Sequence, residues 1–237
     1  MRPVLVIEQE YSLRGLGLLG ERLEASGLPY RSLPAWEEPM DALDPRGFAA
    51  VIPMGGTAHA WEADDVPVLA TERRFLAQAV EAGVPVLGIC LGGQLLASAV
   101  GGEVQAGPEP EIGWLEITPT EAARDDPLFR VLEGSAGVYQ WHSDVFEPPP
   151  SARLLARSAA SPNQAFRVDG TRAWGIQFHP ETTPELWEQW IARHPVEVEE
   201  SGVDVEALRS AVYAGARRSL AFCTALFDTF INLVAER

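Results

Sequence analysis

The sequence predicts an α/β fold. A mostly parallel central sheet with helices on both faces should be followed by a small antiparallel strand segment and a C-terminal helical extension. Three observations predict this. Short apolar runs of strand length alternate with amphipathic helical stretches through the first half. Several short strand candidates separated by turn residues follow. Helical periodicity then returns and continues to the end. A chain of 237 residues with 46% hydrophobic side chains is long enough for one generous domain with a sizeable core.

Residues 3–8 open with the apolar run Val4-Leu5-Val6-Ile7, the pattern of a buried strand. Residues 15–26 read as a helix with Leu16, Leu19 and Leu23 on one face. Residues 49–54 form a second buried strand that ends in Gly55-Gly56-Thr57. Residues 71–82 are a helix with Phe75, Leu76 and Ala79 at core spacing and Gly83 at its end. Residues 85–89 are a third strand. The five later strand candidates lie around 112–118, 136–141, 153–158, 163–168 and 173–178. Residues 184–193 are a helix with an apolar stripe of Leu186, Trp187, Trp190 and Ile191. An acidic connector over 197–202 leads to a final helical region, 203–236, with Leu220, Cys223, Phe227, Phe230 and Val234 on one stripe. The expected division is an α/β unit over 1–192 and an extension over 193–237, packed on that unit or on a partner subunit.

Composition excludes several chemistries. All 18 basic residues are Arg, against 34 acidic ones, for a net charge of −16. Without lysine there is no lysine Schiff base and no P-loop lysine. The negative charge argues against a nucleic-acid or anionic-membrane partner. Two cysteines, Cys90 and Cys223, make no disulfide scaffold. Residues 82–102 carry no charge, but six glycines and Pro85 make them a buried strand, a sharp turn and a buried helix rather than a membrane span. The N-terminal apolar run is too short for a signal peptide, so a cytoplasmic protein is expected. Four dispersed histidines and one turn cysteine give no metal site. Gly15-Leu16-Gly17-Leu18-Leu19-Gly20 spells a dinucleotide fingerprint, but Gln9 to Arg14 separate it from the strand end where that motif must begin. It reads as a closely packed helix, and no cofactor is expected. Ser201-Gly202-Val203-Asp204-Val205 is a partial match to a pyrophosphate-binding loop and reads better as a connector and helix N-cap.

Three segments carry chemistry. Gly88-Ile89-Cys90-Leu91-Gly92 has the G-x-C-x-G form of a strand–turn–helix nucleophile elbow. The turn is strained, so the residues two before and two after must lack side chains. The thiol then stands at a helix N-terminus, where the helix dipole favours thiolate. Alone, the segment favours the elbow but leaves open a buried structural cysteine in a Gly-rich turn. In Trp174-Gly175-Ile176-Gln177-Phe178-His179-Pro180-Glu181, His179 and Glu181 stand two apart at a strand end. Period two puts them on one side, as suits a base and the carboxylate that orients it. In the third segment, Gly55 and Gly56 let backbone N–H groups approach a ligand. With the N–H of Leu91 they are placed to form an oxyanion hole, but alone the segment reads more simply as an ordinary βα turn.

In this order, the elbow with Gln94, the His-Pro-Glu and the Gly-Gly turn resemble the class I (triad) glutamine amidotransferases. The resemblance covers about residues 1–192. It is greatest to stand-alone proteins similar to the amidotransferase domain of GMP synthase. It implies a flavodoxin-like sheet and a triad of Cys90, His179 and Glu181, with Gly56 and Leu91 as oxyanion donors. It also implies that Gly55, Gln94, His142, Ser143 and Asp144 help hold the substrate, although Ser143 replaces the family's usual glycine. The implied reaction is hydrolysis of the L-glutamine side-chain amide to glutamate and ammonia through a thioester on Cys90. The acceptor would belong to a synthetase partner subunit, because 195–237 is too short for an ATP-using domain. Two alternatives share the fold: a stand-alone hydrolase of γ-glutamyl compounds, and a silent binding or regulatory module. The terminal helix is free to cover the domain or to build a homodimer.

Overall fold

A computed structural model describes residues 1–9, 15–200 and 202–236. Nine strands form one sheet among the described residues: β1 (Val4–Glu8), β2 (Tyr30–Pro34), β3 (Ala50–Pro53), β4 (Val86–Ile89), β5 (Glu103–Pro119), β6 (Ala136–Glu147), β7 (Ala152–Arg157), β8 (Ala165–Val168) and β9 (Ala173–Ile176). The helices are α1 (Gly17–Ser26), α2 (Pro67–Glu81), α3 (Leu91–Ala99), α4 (Pro184–Arg193), α5 (Pro195–Glu200) and α6 (Val205–Ala235). The spatial order is β2-β1-β3-β4-β9-β8-β7-β5-β6. The pairs from β2 through β9 are parallel. Those from β9 through β6 are antiparallel. The α/β class with helices on both faces holds, but the sheet is mixed. The antiparallel part is a continuation of the central sheet rather than a small addition.

Strand alternation explains the two helical layers. All five residues of β1 are buried. Val4 and Val6 face one core, with Ala50, Ile52, Leu87 and Ile89 from the neighbouring strands, and with α1 and α6. Leu5 and Ile7 face the other, with Val51, Val86, α2 and α3. Period two divides each strand between two apolar layers, so the central strands read as continuous apolar runs.

The differences from the sequence reading have local causes. β2 is an edge strand with exposed Tyr30 and Arg31, so no apolar run announces it. α2 begins at Pro67, where proline's missing N–H costs nothing in the first turn. β5 runs back to Glu103 through Gly107, Pro108 and Pro110, and a register shift between Ala106 and Glu111 breaks its alternation. The expected connector is helical through Glu200 as α5. Ser201 and residues 10–14 lie outside the described residues. Asp204 caps α6, its carboxylate accepting from the N–H groups of Glu206 and Ala207 at 3.0 Å.

α6 is bent by 65° between Val205–Gly215 and Ser219–Ala235. After the bend, Phe222, Cys223, Leu226, Phe227, Phe230 and Val234 enter the same core as β1 and β9. Leu220, expected on this stripe, is 52% exposed, although Ser219, Phe222 and Cys223 beside it are buried. No single helix among the described residues is long and apolar enough to cross a membrane. Phe227 is fully buried. Phe227→Ala should therefore cost about 3–5 kcal/mol in urea unfolding. A loss under about 1 kcal/mol would show that α6 is a detachable tail.

Candidate active site

The centre of the site is one backbone conformation. Cys90 has φ +51° and ψ −111° and is the one non-glycine residue at positive φ among the described residues. β4 runs straight into this turn and α3 starts at Leu91. A Cβ on Gly88 would lie 2.5 Å from the Gly92 carbonyl oxygen, and one on Gly92 would lie 2.2 Å from that of Pro53. Neither position admits a side chain, which is why the elbow has glycines there. The Cys90 N–H donates to the Ile176 carbonyl at 2.9 Å, tying the turn to the end of β9.

That tie brings the second segment to the first. Past Ile176 the chain turns, and the His179 N–H donates to the Tyr139 carbonyl at 2.9 Å. The His179 Nδ1 stands 2.7 Å from Glu181 Oε1. The two meet in a turn beyond β9 rather than on a strand face, so period two is not what pairs them. Glu181 is itself held: its carbonyl accepts from the Leu18 N–H at 2.9 Å, at the start of α1. A Cβ on Gly17 would lie 2.1 Å from that carbonyl oxygen. The glycine-rich start of α1 thus serves close packing against Glu181.

Cys90, His179 and Glu181 are all nearly fully buried. Burial opposes charge on His179. The negative charges of Glu181 and Cys90, and hydrogen bonds to both, outweigh it and push its pKa up to about 10. The imidazolium form of His179 is therefore favoured in this setting. Cys223 is different: burial, with Glu181's charge adding, pushes its thiol up to about 12, as expected of an inert core cysteine.

Gly55 sits against the pair. A Cβ there would lie 2.7 Å from His179 Cε1 and 3.5 Å from Cys90 Cβ. Gly56, Cys90, Gln94, His142, Ser143, Asp144 and His179 all line one cleft, together with His59, Trp141, Trp190 and His194. The cleft encloses about 640 Å³, counting its open mouth. Leu91 is the first residue of α3, so its N–H has no partner within the helix.

Of the five residues expected to hold a ligand, two are otherwise engaged. The Gln94 side-chain amide donates to the Asp144 carbonyl at 3.3 Å and to Gln177 Oε1 at 3.4 Å. His142 Nδ1 is 2.9 Å from the same Asp144 carbonyl, and its Nε2 is 3.4 Å from Glu111 Oε2. Both therefore fix the backbone at Asp144. The Asp144 carboxylate faces the cleft: Oδ2 is 2.7 Å from His59 Nδ1, while buried Oδ1 has no hydrogen-bond partner. Burial raises its pKa, with His59 opposing. Ser143 is exposed at the cleft edge.

Glu111, Gln177 and Trp190 were not assigned to the site from sequence. Burial works to raise Glu111, but hydrogen bonds from His142, Ser158 and Gln164 and the charge of His142 bring its pKa below the usual value. Glu111 gave no local signal, because its partner lies across the β5–β6 pair. Gln177 donates to Cys90 Sγ at 3.7 Å and stood inside the His179 motif. Trp190 packs edge-on to the His179 ring, centroids 5.0 Å apart.

The raised value on His179 has a signed consequence. An unfolded histidine titrates near 6.5, below the folded value. Its contribution to stability is complete below about pH 6.5 and is lost as the pH rises through about 10. The urea midpoint difference between wild type and His179→Gln should shrink over that window. In a Cys90→Ala background the loss should occur at lower pH. A difference constant with pH would contradict this assignment of charge.

Comparison with known proteins agrees with this geometry. Residues 37–197 match the family model "Glutamine amidotransferase class-I". The glutamine-hydrolyzing GMP synthase of Aeropyrum pernix is 34% identical over 184 residues, 74% of this chain and 33% of that protein. One subunit of the glutamine-hydrolyzing GMP synthase of Thermococcus kodakarensis is 42% identical over 102 residues, 43% of this chain and 53% of that one. The chain thus spans about a third to about half the length of these relatives. Among solved structures, a glutamine amidotransferase from Thermotoga maritima superposes with a TM-score of 0.86 at 26% identity, covering 100% of both chains. One from Methylobacillus flagellatus gives 0.85 at 29% identity, covering 98% of this chain and 95% of that one. A matched segment that takes in the elbow, the Gly-Gly turn and His179–Glu181, within a fold shared end to end, shows that this chain belongs to the class I glutamine amidotransferase family.

Proposed function

We propose that the protein hydrolyses the side-chain amide of L-glutamine, releasing glutamate and ammonia. The observation that carries this reading is the buried Cys90–His179–Glu181 group at the floor of a cleft whose wall includes Gly56. The Cys90 thiolate attacks the γ-carbonyl carbon, and the carbonyl oxygen becomes an oxyanion. The N–H groups of Gly56 and Leu91 stabilise it, each worth on the order of 3 kcal/mol. The His179 imidazolium gives its proton to the departing amide nitrogen, and ammonia leaves. The neutral imidazole then takes a proton from water, and the hydroxide so formed cleaves the γ-glutamyl thioester. Glutamate and the starting ion pair result. Glu181 holds the ring in one orientation and stabilises its charged form.

The free Asp144 oxygen is the group we assign to the substrate's α-ammonium. A buried carboxylate oxygen without a partner gains most from a cation. Gln94 and His142 act at one remove by holding Asp144 in place. Relatives named as one subunit of a GMP synthase support an ammonia-using synthetase as partner. We assign 1–192 to the amidotransferase unit and 193–237 to its C-terminal extension.

Purified protein should release glutamate from glutamine, and Cys90→Ala should lower the rate by at least about a thousand-fold. A Cys90→Ala variant releasing glutamate at near the wild-type rate would overturn the reading. A γ-glutamyl peptide run beside glutamine separates the glutaminase from the peptidase: preference for the peptide would move the assignment to γ-glutamyl compounds. Asp144→Asn should raise KM for glutamine by about tenfold or more with kcat changed by less than about threefold. An unchanged KM would remove Asp144 from ammonium recognition.

A further inference from the structure

We propose that Glu72, acting through Gln9, is a positioning residue that holds the Gly55–Gly56 turn with the Gly56 N–H aimed into the cleft. The inference rests on the hydrolase reading above.

The entry to this turn is fixed by backbone bonds. The Met54 N–H donates to the Ile7 carbonyl at 2.9 Å, and the Met54 carbonyl accepts from the Gly92 N–H at 3.1 Å. Beyond Met54 the contacts are with side chains. A Cβ on Gly56 would lie 2.7 Å from Gln9 Cβ and 2.9 Å from Leu91 Cδ2. Gln9 therefore forms one wall against which Gly56 rests. The Gln9 amide, in turn, donates to Glu72 Oε1 at 2.6 Å.

Glu72 is out of place by ordinary rules of burial. It is completely buried on α2, on the same helix as buried Leu69, Phe75, Leu76 and Ala79. Its Oε2 has no hydrogen-bond partner. No ion pair offsets it among the described residues, and burial raises its pKa to about 8 against the single opposing bond from Gln9. A methionine of similar volume would fit an apolar interior at lower cost. What a carboxyl adds here is an acceptor for Gln9.

A small pocket beside the turn is lined by Gln9 and Leu91 together with Thr57 and Ala58, which follow the glycine pair. Glycine peptides adopt many backbone conformations. An anchored Gln9 side chain fixes the wall on which Gly56 rests.

The test compares Gln9→Met, Glu72→Met, Glu72→Gln and the double variant Gln9→Met/Glu72→Met with wild type and Cys90→Ala. Three quantities are read: kcat and KM for glutamine, and the rate of Cys90 alkylation by iodoacetamide. Alkylation displaces iodide at a saturated carbon and forms no oxyanion, so it reports the thiolate alone. Gln9→Met and Glu72→Met should each lower kcat by at least about tenfold, with KM and alkylation within about twofold. The double variant should fall no further than the singles. Glu72→Gln, whose amide oxygen still accepts from Gln9, should keep at least about half of kcat. An unchanged kcat in folded Gln9→Met, or alkylation slowing in parallel with kcat, would overturn the inference. If Glu72→Met does not fold, half-buried Gln9→Met decides alone. Wild-type protein showing no Cys90-dependent release would overturn the hydrolase reading and this inference with it. That result is seen before any Gln9 variant is read.

Discussion

The site depends on the backbone of Cys90. A non-glycine residue at φ +51° persists only where its surroundings over-determine it. Here they do. Gly88 and Gly92 allow backbone to touch backbone on either side, and the bond from the Cys90 N–H to Ile176 closes the turn against β9. The same bond brings Cys90 to His179, because His179 follows Ile176 along one short segment. Parallel pairing of β4 with β9, with Ile89 opposite Ile176, aligns the two strand ends. The chemistry is thus placed by the C-terminal edge of a parallel sheet, where open α/β folds bind their ligands.

The antiparallel half supplies the other wall. β6 carries Tyr139, which anchors His179 through its carbonyl, and then Trp141, His142 and Asp144 along the same strand. Glu111 on β5 stands opposite His142. Two elements of opposite sheet character therefore meet at the cleft. The parallel strands present Cys90 and its turn, and the antiparallel ribbon presents the Asp144 carboxylate. Under the proposed reading, the unpartnered Asp144 oxygen on that ribbon is what receives the cationic end of the substrate.

What the sequence made legible is what backbone geometry demands locally. Gly88-x-Cys90-x-Gly92 announces itself because no other residues fit the turn. Gly55-Gly56 does so because His179 and Leu91 press on it. His179 and Glu181 were legible as a pair, though the reason lies in a turn and not in strand period. The residues that were not legible act across strands or through a third group. Glu111 meets His142 only by the register that follows the bulge between Ala106 and Glu111. Gln94 reads as a ligand group, yet its amide is spent on Asp144 and Gln177. Edge strand β2 and helix α5 lack the apolar pattern by which buried elements show themselves.

The central claim is that acyl transfer passes through a γ-glutamyl thioester on Cys90. It is tested most directly by partitioning. Turnover of glutamine and of a γ-glutamyl anilide would be run in the presence of hydroxylamine, measuring γ-glutamyl hydroxamate against glutamate. A common thioester predicts one hydroxamate-to-glutamate ratio for both substrates at a given hydroxylamine concentration. Ratios that differ between the substrates, or glutamate release with no hydroxamate, would contradict a shared covalent intermediate.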